Sequence, residues 1–188
     1  MIIETERLLL RPFDEEDLAE LTRLRSDPEV MRYIGGAVLQ SPEAIARRFR
    51  FYLDCYERHG FSMMPAVRKS DKAFVGWGGL QPLEETGEFE VGYGFDKPFW
   101  GLGYATELAA AWLRYGFEEA GLPRIIAVAI PENTASRRVM EKLGMKYEKN
   151  ATHYNNDCVL YSITREEFEP RAGTYALHAS ADRSDFRI

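Results

Sequence analysis

Residues 88–106 read EFEVGYGFDKPFWGLGYAT. The first part, Glu88 to Phe95, places apolar side chains at alternate positions and predicts a β-strand. Beyond Thr106, apolar residues recur at helical spacing and predict a long helix. Gly101 and Gly103 lie in the loop between them, where the missing side chains allow a ligand to approach the backbone. A strand, a glycine loop and a helix in this order are the unit from which we interpret the whole chain.

The start of the predicted helix is a candidate anion site. The amides of roughly residues 102–106 lie where backbone N–H groups lack acceptors within the helix and the helix dipole is positive. A phosphate-bearing cofactor is the natural ligand. A P-loop would need a Gly-Lys-Ser/Thr ending, which the chain lacks, and a dinucleotide fingerprint would need a small residue where Thr106 stands. From the local spacing alone, a tight turn that binds no ligand is the alternative.

The pattern of the remaining chain predicts one mixed α/β domain. Ser41 and Pro42 begin a helix that Gly60 ends. Residues 8–13, 61–67, 73–80, 125–130, 145–149 and 158–163 are expected to form strands, and Asp14 and Asn133 to begin further helices. We expect residues 1–169 to form the domain and residues 170–188 to be a polar, mobile tail.

Composition and charge exclude several classes of protein. The 188 residues carry a net charge of −6, which argues against nucleic-acid binding. The acidic balance mildly suits a cationic substrate, although solubility alone is the better explanation of it. Cys55 and Cys158 lack metal-ligand spacing and the histidines are scattered, so we expect reduced structural thiols and no metal. With no signal peptide and no membrane-spanning stretch, a cytoplasmic protein is expected, either a monomer or a homodimer.

Three segments together resemble the GNAT acetyltransferase superfamily. Gly101-x-Gly103-x-Ala105 at the start of a helix resembles its coenzyme A pyrophosphate loop, and residues 133–145 (NTASRRVMEKLGM) look like its second cofactor element. Residues 5–13 (TERLLLRPF), with residues 100–107 (WGLGYATE), are similar to the RimJ/RimL-like branch that acetylates the N-termini of ribosomal proteins. The resemblance extends from about Ile3 to Phe168. It departs at Trp100, where the superfamily usually has Gln or Arg.

The resemblance implies a fold, a co-substrate and a set of binding residues. The fold is a twisted, largely antiparallel sheet with a splayed parallel central pair and helices on both faces, and the co-substrate is acetyl-coenzyme A. The implied cofactor-binding residues are Gly94, Phe95, Trp100, Gly101, Leu102, Gly103, Tyr104, Ala105, Thr106, Asn133 and Ser136. Sheet pairing for Gly94 and Phe95 and helix capping for Asn133 are the alternatives.

Two side chains are candidates for proton transfer. Ser136 is implied to meet the leaving sulfur, although a serine in a helix also bonds to the preceding turn. Glu90 is the candidate base, because a carboxylate can accept the proton that an attacking amine loses. It shares a strand face with Glu88, and a solvent-facing acidic edge is the alternative.

The expected reaction is direct acyl transfer to a primary amine in a ternary complex, with a backbone amide near Phe95 receiving the oxyanion. Protein N-termini and small-molecule amines both stay open as acceptors. A non-catalytic acyl-CoA-binding regulatory module is the alternative function.

Overall fold

The computed structural model of the chain describes residues 1–34, 40–83 and 86–179. The strands of these residues are β1 (Ile2–Thr5), β2 (Leu8–Leu10), β3 (Met63–Arg68), β4 (Phe74–Pro82), β5 (Phe89–Phe95), β6 (Arg124–Ala129), β7 (Lys146–His153), β8 (Asn156–Thr164) and β9 (Tyr175–His178). The helices are α1 (Asp17–Arg25), α2 (Pro28–Met31), α3 (Pro42–His59), α4 (Tyr104–Glu118) and α5 (Thr134–Lys142). A single 3₁₀ turn, Lys97–Phe99, follows β5.

The strands form one mixed sheet in the order β7-β8-β6-β5-β4-β3-β2-β1-β9. Every neighbouring pair is antiparallel except β5 and β6, which are parallel. β5 pairs with β4 along its whole length, but among the described residues it pairs with β6 at one position, where Glu90 lies opposite Ile126. The two central strands therefore diverge beyond Glu90 and leave a gap. This architecture confirms the predicted mixed α/β fold with its splayed parallel pair.

Helices cover both faces of the sheet. On one face, Leu108 and Trp112 of α4 pack in a core with Leu80 and Val91 from β4 and β5. The other face forms a second core in which α1 and α3 pack against β3 and β4; its residues include Leu21, Phe49, Tyr52, Met63 and Trp77. Because alternate strand residues face opposite sides, β5 presents Val91, Tyr93 and Phe95 to α4 and Glu90, Gly92 and Gly94 to the α1–α3 side.

Local capping signals predicted α3 correctly. Ser41 accepts a hydrogen bond of 3.3 Å from the amide of Ala44, and Gly60 ends the helix in the left-handed conformation with φ 75°. The predicted start of α1 at Asp14 is wrong by three residues. The backbone carbonyl of Asp14 accepts the Asp17 amide at 3.1 Å, so a turn precedes the helix.

The C-terminal part of the chain differs from the expectation of a structureless tail. Residues Tyr175–His178 form β9, which pairs antiparallel with β1 from Ile2 opposite His178 to Thr5 opposite Tyr175. The strand has four residues and pairs with β1, so its pattern was too short to be identified from the sequence. Residues 180–188 of the predicted tail lie outside the described residues.

Cys55 and Cys158 are both buried, and neither forms a disulfide. Among the described residues, no helix combines the length and hydropathy needed to cross a membrane. The same residues contain no group of three or more His, Cys, Asp or Glu side chains placed to hold a metal ion.

Candidate active site

The glycine loop makes two left-handed turns before α4. Gly101 has φ 75° and Gly103, the residue that caps α4, has φ 86°. A side chain is strained in this region of backbone space, so glycine is the residue that fits. The helix therefore begins with no capping side chain over its first amides.

The amides of this loop lack internal acceptors. Trp100 donates its backbone N–H to Lys97 at 3.1 Å, and Glu107 donates to Gly103 at 3.0 Å. Between them, the N–H groups of residues 101–106 donate no hydrogen bond to any residue that the structure describes. Six consecutive backbone donors at the positive end of a helix form a site for an anion such as a diphosphate.

The turn between β1 and β2 supports the loop from behind. The Arg7 guanidinium donates to the Leu102 carbonyl at 2.9 Å and lies 4.4 Å from the centre of the Tyr104 ring. Glu107, in the first turn of α4, accepts hydrogen bonds from the Thr5 hydroxyl at 2.6 Å and from Arg7 Nε at 2.7 Å. This network joins residues 5–13 (TERLLLRPF) to residues 100–107 (WGLGYATE), two segments that are distant in the sequence.

The gap between β5 and β6 exposes strand backbone. Asp96 donates its N–H to Val75 of β4 at 2.9 Å. Since successive residues of an antiparallel strand alternate in direction, Gly94 also faces β4, whereas Tyr93 and Phe95 face the gap. The register therefore corrects the prediction for Gly94, whose backbone groups pair with β4. The backbone groups of Phe95 face the gap, so Phe95 stays a candidate cofactor contact, and Tyr93 becomes a second candidate.

Trp100 holds the end of this strand. Its indole N–H donates to the Phe95 carbonyl at 2.7 Å, and half of the side chain is exposed. The residue that stands where the superfamily usually has Gln or Arg thus anchors the loop to the open end of the gap.

A cavity passes through the gap and reaches both faces of the sheet. On the α4 and α5 side it is lined by Tyr93, Asn133, Ser136 and Met140. On the α1–α3 side its lining includes Arg25, Gln40, Arg48, Tyr52, Trp77, Gln81, Glu90 and Tyr154. Glu90, Asn133 and Ser136, which are distant in the sequence, are therefore brought to one cavity.

The start of α5 supplies hydroxyl and amide groups. The Asn133 side-chain carbonyl accepts the Ser136 amide at 3.1 Å, so Asn133 does cap the helix while lining the cavity. The Ser136 hydroxyl lies 3.0 Å from the Tyr93 hydroxyl. Burial raises the pKa of Tyr93 to about 12, so this phenol keeps its proton at neutral pH.

Glu90 is buried, with 4% of its surface exposed. Its Oε1 accepts a 2.6 Å hydrogen bond from Gln81 and a second hydrogen bond from the Tyr154 hydroxyl. Burial raises the pKa of Glu90 above its usual value, and the two hydrogen bonds oppose that shift. The alternative of a solvent-facing acidic edge is wrong for Glu90. It describes Glu88, which lies 3.5 Å from Arg124 in a partly exposed ion pair.

Sequence interpretation missed several of these residues. The alternation of apolar side chains along β5 already placed Tyr93 on the same side as Phe95, so this signal could have identified Tyr93. No local signal linked Gln81 or Tyr154 to Glu90, because these contacts span 9 and 64 positions of the chain.

Comparisons with known proteins agree with this geometry. Residues 7–146 match the family described as Acetyltransferase (GNAT) domain. The chain is 34% identical over 174 residues to "Uncharacterized N-acetyltransferase YnaD" of Bacillus subtilis (strain 168), covering 89% of this chain and 99% of that protein. It is 33% identical to "FsC-acetyl coenzyme A-N(2)-transacetylase" of Aspergillus fumigatus, covering 88% of this chain and 77% of the relative. A crystal structure of a GNAT-family acetyltransferase from Bacillus anthracis is 34% identical, with a TM-score of 0.75, and covers 89% of this chain and 100% of that one.

Proposed function

Because the chain belongs to the GNAT acetyltransferase family and is an N-acetyltransferase, we propose that it moves an acetyl group from acetyl-coenzyme A to a primary amine. The amine attacks directly, with both substrates bound at once. The observation that carries this proposal is the run of amides at residues 101–106 without internal acceptors, at the open end of the gap. The thioester of acetyl-coenzyme A supplies the activated acetyl group.

The residues present fit this co-substrate. The amides at the start of α4 bind the diphosphate. The backbone groups of Tyr93 and Phe95 that face the gap pair with an extended arm, as a further strand would. The side-chain carbonyl of Asn133 caps α5, and the side-chain NH2 group of the same residue lies at the cavity wall for the co-substrate. A backbone N–H of β5 in the gap also donates a hydrogen bond to the acetyl oxygen as negative charge develops on that oxygen.

Glu90 acts as the base. An α-amine has a pKa of about 8 and a lysine side chain about 10.4, so either is largely protonated at neutral pH. The carboxylate of Glu90 takes the proton from the amine, directly or through a water, and the amine then attacks. A carboxylate whose pKa is raised by burial is a stronger base than an exposed one.

The Tyr93–Ser136 pair lies on the other side of the gap and serves the leaving sulfur. A thiol with a pKa near 8.5 leaves readily as a thiolate and needs modest help. The Ser136 hydroxyl donates a hydrogen bond to the departing thiolate and keeps its proton, and Tyr93, which also keeps its proton, hydrogen-bonds to the serine oxygen.

Thiol release measured with a chromogenic disulfide tests the proposal. Purified protein and acetyl-coenzyme A are mixed with amino acids, peptides, polyamines and aminoglycosides, while calorimetry measures the binding of coenzyme A. Release that depends on an added amine supports the enzyme. If coenzyme A binds but no amine releases thiol above background, the chain is instead a regulatory acyl-CoA-binding module.

A further inference from the structure

Arg25 is a buried cation whose hydrogen-bond partners are all neutral. Arg25 is the last residue of α1, and 3% of its surface is exposed. Its Nε and Nη2 donate to the Gln40 side-chain carbonyl at 3.0 and 2.9 Å, and its Nη1 donates to the Tyr52 hydroxyl at 3.3 Å. The guanidinium carbon lies 5.4 Å from the centre of the Trp77 ring. No carboxylate in the described part of the chain forms an ion pair with Arg25, although a buried charge is costly without one.

Arg25 and Arg48 both line the cavity on this side of the sheet, and Glu90 is the single carboxylate among the described residues of its wall. Oε1 of Glu90 is already bonded to Gln81 and Tyr154. Arg48 has an interaction partner of its own, so Arg25 is the cation of this wall for which the described residues supply no negatively charged partner.

Arg25 also has donors to spare. A guanidinium carries five N–H groups in a planar fork, and three of those of Arg25 make the bonds given above. The remaining two fit the paired oxygens of a carboxylate, the planar anion that arginine binds best.

Gln81 adds a matching feature for the amine end. Its side-chain nitrogen donates to Glu90, but its buried carbonyl oxygen has no hydrogen-bond donor among the residues described. A buried acceptor of this kind is normally satisfied, and an N–H of a bound amine beside Glu90 would satisfy it.

We propose that the acceptor is a small amine that carries a carboxylate, namely an amino acid or a related aminocarboxylic acid. Arg25 binds its carboxylate, and its amine faces Glu90 and Gln81. This inference rests on the proposed acetyl transfer and names the acceptor class. A polyamine or an aminoglycoside would place a further positive charge beside Arg25, and like charges at short range disfavour binding.

The test compares matched acceptors. Amino acids and longer aminocarboxylic acids are each paired with the corresponding amide, which has the same amine and no negative charge. Because the carboxylate also changes the amine pKa, kcat/KM is compared as its pH-independent value for the free amine. We expect the acid to exceed its amide by about tenfold or more, the range of a hydrogen bond to a charged group.

Variants locate the carboxylate site. Arg25→Lys should bring the ratio of acid to amide toward one, because it keeps the charge that the fold buries but loses the planar fork that pairs with a carboxylate. Arg47→Lys makes the same exchange at an exposed position of α3 and should preserve the ratio. Circular dichroism and the affinity for coenzyme A confirm that each variant is folded.

The two hypotheses fail differently. If coenzyme A binds and amides, polyamines or peptides are acetylated as well as the acids, the carboxylate inference is overturned and acetyl transfer stands. An unchanged acid-to-amide ratio in Arg25→Lys also overturns it. If no amine at all releases thiol, the proposed function fails, and the acceptor inference fails with it.

Discussion

The side-chain amide of Gln81 in β4 donates a 2.6 Å hydrogen bond to the carboxylate of Glu90, its register partner in β5. The pair lies where β5 last pairs with β6, at the closed end of the gap. A neighbouring strand therefore fixes the orientation of the proposed base. Burial raises the pKa of Glu90, and the hydrogen bond from Gln81 lowers it. Gln81 therefore influences both the position and the proton affinity of that carboxylate.

Glu90→Gln should lower kcat by about 100-fold, the range expected for loss of a general base. The wild-type rate should fall as the pH drops through the pKa of Glu90, because the protonated carboxyl cannot accept a proton. Since burial raises that pKa, this acidic limb lies above the ordinary carboxyl value of 4.5. Steady-state rates measured across pH check both effects, and the variant should lack the limb.

Glu88→Gln is the matched control, because it removes the same charge from the same strand face at a partly exposed position. An equal loss of rate in both variants, or an unchanged acidic limb in Glu90→Gln, would show that Glu90 is not the base.

Gly103→Val should abolish measurable binding of coenzyme A. The residue has φ 86°, and a β-carbon there would lie 3.4 Å from Arg7 Nη2. The added side chain both strains the backbone and shields the amides at the start of α4. Isothermal titration calorimetry with coenzyme A measures the loss.

Gly60→Val separates strain from blockage, because Gly60 has a similar φ of 75° and open space around it. Left-handed strain costs about 1–2 kcal/mol per residue, so both variants should lose that much free energy of unfolding. Normal affinity is expected for Gly60→Val alone; normal affinity for Gly103→Val would mean that the loop is not the diphosphate site.

Glu107→Gln should raise the Kd for coenzyme A by about tenfold, with a smaller change in kcat. Glu107 holds Thr5 and Arg7, and Arg7 in turn holds the Leu102 carbonyl, so the loop loses its support. A hydrogen bond to a charged group contributes about 1.5–3 kcal/mol, which sets this magnitude. Glu118→Gln breaks the exposed pair with Arg114 on the same helix and should leave the Kd unchanged. Equal behaviour of the two variants would refute the positioning role.

Ser136→Ala should lower kcat by about tenfold without a comparable change in the KM for the acceptor, since its hydroxyl is proposed to act at the sulfur. Tyr93→Phe should have a similar effect, and the double variant should lose less than the product of the two. Such non-additivity is expected for groups that act through one hydrogen-bonded pair. Ser136→Thr retains a hydroxyl and should recover part of the rate. Full activity of Ser136→Ala would remove Ser136 from the mechanism.

Parts of this structure could be predicted because their signals are local. A hydroxyl followed by proline at residues 41 and 42 begins α3, and the loop at residues 101–106 needs only glycine spacing and a following helix. Alternation alone placed Glu90 on the opposite strand face from Val91, where the structure has it.

The remaining features depend on contacts between distant segments. Whether Glu90 faces water depends on Tyr154, which approaches from the turn between β7 and β8. β9 exists because β1 offers it an edge. Arg25 resembles any surface charge on a helix in the sequence, and only the packing of α1 against Tyr52 and Trp77 buries it. Composition suggested a cationic acceptor, but the spare donors of the buried Arg25 argue for an anionic group.

The structure of the protein in complex with coenzyme A tests the central claim most directly. The account predicts diphosphate oxygens about 3 Å from backbone nitrogens within residues 102–106, and the arm of the ligand in the gap beside Tyr93 and Phe95. Coenzyme A bound elsewhere, with these amides bonded to protein or solvent, would contradict it.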